Sequence, residues 1–70
     1  MKNNIEKYLQ RRHMSQSQLA MIASCTIVSM SRYVSGDREP KVSMAIRIAN
    51  ALKADVYDVF PVIDDKEDEE

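Results

Sequence analysis

One cysteine, Cys25, among 70 residues leaves no internal disulfide and no cysteine-built metal cluster within the chain. Its ordinary role is that of a small buried hydrophobe. One glycine and two prolines in a chain that is 44% apolar argue against a turn-rich sheet protein and against disorder, and favour a helical body. With one histidine and one cysteine, no acid-base pair, nucleophile-base dyad or metal set is held together, so neither an enzyme, a cofactor nor a small-molecule substrate is expected. No apolar run approaches the roughly 18 residues of a membrane helix, and the start, Met1-Lys2-Asn3-Asn4-Ile5, lacks the apolar core of a signal peptide. The expected place is the cytoplasm, with no membrane partner.

The formal net charge of -1 conceals a division. Residues 64 to 70, Asp-Asp-Lys-Glu-Asp-Glu-Glu, carry six acids and one base, for a net of -5, whereas residues 1 to 63 carry nine Lys or Arg against five acids, for a net of +4. The chain therefore divides into a mildly basic domain, 1 to 63, and an acidic tail, 64 to 70, expected to be disordered because its like charges repel. A basic body suits a polyanion without demanding one. The tail serves solubility or competes with phosphate for the basic face.

Apolar spacing divides the body into five helices. Asn3, with Glu6 three residues on, forms a capping box for the first, which carries Ile5, Tyr8 and Leu9 inward and ends around His13. There the lone histidine complements the helix dipole. Ser15 and Gln18 form a second capping box, opening a helix with Leu19, Ala20, Ile22 and Ala23 inward and an end by Ser24. Thr26 caps a third, to about Val34, with Met30, Tyr33 and Val34 facing the core and Gly36 as its left-handed stop. Pro40 holds Glu39 extended, so Asp37-Arg38-Glu39-Pro40 is a loop. The fourth helix spans about Val42 to Lys53, with Val42, Ala45, Ile46, Ala49 and Leu52 inward and Ile48 at the flank. Asp55 caps a last short helix bearing Val56, Val59 and Phe60, which Pro61 stops. Val62-Ile63 is an apolar stub, free to pack on the first helix, to pair with a second subunit or to stay loose.

Two short helices joined by a tight turn occupy residues 16 to 35, the layout that lets a second helix enter the major groove while the first crosses the backbone. Spacing alone is a weak signal, but residue identities sharpen it. Ser15-Gln16-Ser17-Gln18-Leu19-Ala20, then Met30, Tyr33, Gly36 and Pro40, then Ile46-Arg47-Ile48-Ala49-Asn50-Ala51-Leu52, resemble the Xre family of phage and bacterial regulators, the lambda-repressor-like or Cro-like helix-turn-helix domain. The resemblance covers about residues 4 to 60. It implies an all-α, compact five-helix domain that acts as a transcriptional regulator in a phage or bacterial genetic switch, inside the bacterial host cell, on double-stranded operator DNA and as a homodimer. It also implies that Gln16, Arg38 and Lys41 contact phosphates while Ile27, Val28, Ser29 and Arg32 face base edges. Arg32 is the best guanine reader of these, since its fork donates two hydrogen bonds to one base edge.

Several residues depart from that family's pattern. Ile27 and Val28 stand where polar side chains are usual; they can touch a thymine methyl but cannot tell the hydrogen-bonding patterns of the other bases apart. Asp37 and Glu39 occupy a loop where lysine is frequent, and they weaken the attraction to phosphate. Ser24 replaces the usual turn glycine and suits the turn if it avoids a strongly positive φ. Leu9 and Val34 replace a bridging arginine and glutamate together, and such a joint exchange keeps an apolar version of the contact. The exposed aliphatics leave a second use of the scaffold open: a modulator, antirepressor or antitoxin that binds a partner protein such as a repressor.

Overall fold

The computed structural model describes residues 3–61, and every regular element in that stretch is a helix. They are α1 (Ile5–Arg11), α2 (Gln16–Ala23), α3 (Ile27–Ser35), α4 (Val42–Ala51) and α5 (Val56–Val59). The expectations for Val62-Ile63 and for the acidic tail lie outside the described residues.

Most of the helix starts follow from side chains that accept the free amides of a first turn. Ser15 Oγ accepts from the Gln18 amide at 3.1 Å, and Gln18 Oε1 accepts from the Ser15 amide at 2.8 Å, which completes the capping box. Thr26 Oγ1 accepts from the Ser29 amide at 3.0 Å, and Asp55 accepts from the Tyr57 amide at 2.8 Å. The start of α1 differs from the expected box of Asn3 and Glu6. Asn4 is the N-cap and makes no side-chain cap bond. The Asn3 carboxamide instead bridges outward, accepting from the Ile5 amide at 3.0 Å and donating to the Tyr33 carbonyl at 2.8 Å, which ties the entry of α1 to α3. Asn4 does the same towards α5: its backbone amide donates to Val59 and its side chain to the Asp58 carbonyl, at 2.8 and 2.7 Å.

The helix ends show a device that a chain with one glycine conceals. Gly36 closes α3 with φ 88, as its lack of a Cβ allows. His13, Ser24 and Lys53 take the same left-handed region at φ 54, 63 and 54. Each lets the next residue's amide turn back to the helix it leaves: Met14 to Leu9, Cys25 to Ala20 and Ala54 to Ala49, all at 2.9 Å. α1 and α4 therefore stop at Arg11 and Ala51, two residues before the expected ends at His13 and Lys53. Ser24 takes a positive φ, so the condition on which serine suits this turn is not met.

A left-handed conformation costs an L-residue roughly 1–2 kcal/mol, of which glycine's larger unfolded-state entropy returns about 0.4–1. Ser24→Gly is accordingly expected to stabilise the domain by about 0.5–1 kcal/mol, read as a higher urea midpoint at unchanged slope. A lower midpoint would show that the serine contributes something the turn geometry does not.

Ile5, Leu19, Met30, Ile48, Leu52, Val59 and Phe60 are the largest fully buried side chains, so every helix sends at least one into a single core. α2 packs against α3 and α4, and α4 against α5. No polar or charged side chain among the described residues is buried. Two inward assignments fail. Ile22 is 56% exposed, and within α4 Ile48 is fully buried while Ile46 is 43% exposed, the reverse of the expected order. Ile48 belongs with Ala45, Ala49 and Leu52 at offsets of three, one and four residues, and Ile46 lies off that stripe. Leu9 is buried and Val34 half-buried against the same core, so both apolar replacements serve packing.

Candidate nucleic-acid interface

α3 is held from beneath and open above. Met30 is fully buried and Tyr33 nearly so, with Val34 half-buried beside them, which fixes the rotation of the helix about its axis. The opposite face then follows from periodicity. Val28, Ser31, Arg32 and Ser35 recur at offsets of three, four and seven residues and are all exposed, forming one stripe with Ile27 at its leading edge. Of the four residues expected at base edges, Ile27, Val28 and Arg32 lie on this open face. Ser29 is half-buried on its flank.

The stripe's polar members are not equivalent. Ser35 is spent locally: its hydroxyl donates to the Arg32 carbonyl at 3.1 Å and accepts from the Asp37 amide at 3.3 Å. Ser31 is the exposed hydroxyl between Val28 and Arg32, and nothing in its residue type distinguishes it from other surface serines. The Arg38 amide also donates to the Arg32 carbonyl, at 3.3 Å, so the backbones of two cations expected in the interface are brought together at the end of α3. Lys41, the N-cap of α4, is exposed beyond the buried Pro40. Asp37 and Glu39 are exposed in the same loop and offset part of this positive charge.

α2 presents its N-terminus on the other side of the turn. Gln16 is its first residue and is half-buried, and the unpaired amides of a first helical turn carry partial positive charge suited to an anion. The capping box engages the Gln18 side chain, while Gln16 and Ser17 are the other polar side chains of that first turn.

Apolar exposure concentrates on both sides of the turn. Met21 and Ile22 at the end of α2 are 77% and 56% exposed, and Ile27 and Val28 at the start of α3 are 56% and 63% exposed. Cys25, between them, is half-buried against the core rather than fully enclosed. Burial pushes its thiol up, against a weaker downward pull from Arg47. Among the described residues no group of His, Cys, Asp and Glu could hold a metal ion, and no helix is long and apolar enough to cross a membrane.

Comparison with known proteins agrees with this geometry. No curated protein gives a significant match. A helix-turn-helix family model matches residues 5–59, from the first residue of α1 to the last of α5. The chain belongs to the Cro/C1-type helix-turn-helix family and is, by that membership, a DNA-binding regulator of transcription.

Proposed function

We propose that this chain is an operator-binding regulator of a phage or bacterial genetic switch, acting as a homodimer inside the host cell with α3 in the major groove of double-stranded DNA. The observation that carries this reading is the open stripe of α3 seated on the buried Met30 and Tyr33. A rigidly held helix with an exposed face is what groove entry requires. Arg32 donates its fork to a guanine, Ile27 and Val28 lie over base edges with Ser29 at their flank, and Gln16, Arg38 and Lys41 hold phosphates. Residues 1–63 act as the reading domain. The acidic residues 64–70 reduce the sequence-independent attraction to phosphate, so that specificity depends more on α3.

The test is a mobility shift with duplex DNA from the region flanking the chain's own gene, at low salt. A retarded complex at micromolar protein is expected, and its absence would overturn the reading. Ile27→Glu, at a site 56% exposed, should leave the fold intact and abolish the complex by placing a carboxylate in the groove.

A second reading takes support from the exposure of Met21, Ile22, Ile27 and Val28, which would suit docking on a partner repressor as an antirepressor or modulator, or pairing as an antitoxin. It predicts a polypeptide, with no operator fragment, co-purifying from the native host. Ile27→Glu would then release that polypeptide.

A further inference from the structure

We infer that Ile27 and Val28 are methyl readers: they select thymine at two base pairs of the DNA half-site by contact with the 5-methyl group. The inference rests on the reading of α3 as the groove helix and adds the chemistry by which its tip chooses a sequence.

Three observations converge. Ile27 and Val28 are the first two residues of α3 and remain 56% and 63% exposed, at the open end of a helix whose other side is seated on the buried Met30 and Tyr33. The hydrogen-bonding groups beside them are partly committed or covered: Thr26 Oγ1 accepts from the Ser29 amide, and Ser29 itself is half-buried. Ser31 and Arg32, the nearest exposed polar members of the stripe, lie about one turn further along.

An aliphatic side chain pressed onto a major-groove edge removes water from whatever it covers. Over guanine, adenine or cytosine it strips hydrogen-bonding groups and returns no partner, which opposes binding. Over thymine it meets the one apolar group that the major groove presents, and apolar surface is buried against apolar surface. The same two residues thus favour thymine and disfavour the alternatives. Neighbouring helix positions diverge by about 100°, so Ile27 and Val28 fall over different base pairs. Arg32 lies four residues beyond Val28 on the same face, an advance of about 6 Å, or about two base steps. The half-site is therefore two thymine-bearing pairs, with a guanine about two steps from the second.

The experiment starts by enriching bound duplexes from a random pool with the full-length protein. The enriched site is then synthesised with each thymine singly replaced by deoxyuridine, which removes the methyl and keeps every hydrogen-bonding group. Binding is read by fluorescence anisotropy. Each of two replacements should weaken binding about four-fold, the worth of one buried methylene-sized group. The double variant Ile27→Ala, Val28→Ala should bind the thymine and uracil duplexes alike. Circular dichroism melting checks its fold, and if it fails to fold, the wild-type comparison still decides. Equal wild-type affinity for the thymine duplex and every uracil duplex would overturn the methyl assignment while leaving DNA binding in place. Failure to enrich any duplex would overturn both.

Discussion

Phe60→Ala is expected to lower the unfolding free energy by about 3–5 kcal/mol, the usual cost of removing a fully buried aromatic ring. Phe60 is 0% exposed and shares the core with Ile5, Leu19, Met30, Ile48, Leu52 and Val59. Its amide donates to the Val56 carbonyl at 2.8 Å, so the ring enters the core from the last turn of α5. A domain of this size holds only about 3–9 kcal/mol of stability in all, so the variant should lose a large fraction of it. α5 has four residues and cannot hold its own shape without that anchor. Loss of α5 would also remove the carbonyls of Asp58 and Val59 that receive Asn4, and with them the clamp on the entry of α1. Urea unfolding followed by circular dichroism checks the prediction. A loss below about 1 kcal/mol would mean that the ring is not in the core. Within α4 the same measurement should separate Ile48→Ala, at about 2–5 kcal/mol, from Ile46→Ala, which leaves little cavity at a surface site.

The contrast between Ile46 and Ile48 shows what was readable from residue order. Helix starts were legible at Ser15, Thr26 and Asp55 because a side-chain oxygen meeting a free amide is a local event, settled within three residues. The stop at Gly36 was legible for the same reason. Rotation of a short helix is a different matter. α4 carries apolar residues on more than one face, and only its packing against α2 and α5 decides which of two isoleucines is covered. Ile22 in α2 fails likewise. The left-handed turns at His13 and Lys53 left no signature in residue type, and Ser24 was marked only by the glycine usual at its place in the family; their cost is met by backbone bonds to the preceding helix and by the helices packed on either side. Asn3 looked like a cap because its side chain can reach an amide; its bond to Tyr33, thirty positions away, depends on the finished fold. The open face of α3 was mostly legible, because Met30 and Tyr33 fix it by periodicity. Ser29 is half-buried at the flank of that face, which its place in the sequence does not show.

Arg32→Ala should cost about 1–3 kcal/mol of operator affinity, roughly a fivefold to 150-fold weakening, and should relax selection at a single base pair. Arg38→Gln should weaken binding to every duplex by a similar factor and reduce the slope of log affinity against log salt by about one. Both side chains are exposed and cationic, and their backbones meet at the Arg32 carbonyl, so proximity and charge do not separate them. Position does. Arg32 belongs to the stripe with Val28 and Ser31, on a helix whose rotation is locked by the buried Met30, and a guanidinium delivered from a fixed helix can hold two hydrogen bonds to one base. Arg38 lies two residues past Gly36 in the loop, where a charge can follow a phosphate but cannot hold a base-specific angle. Arg32→Lys divides the alternatives further: it keeps the charge and loses the fork, so the salt slope should stay while guanine selection falls. If Arg32→Lys preserved that selection, the arginine would be acting as a point charge. The guanine would then be read elsewhere on α3, with Ser31 the nearest exposed polar side chain.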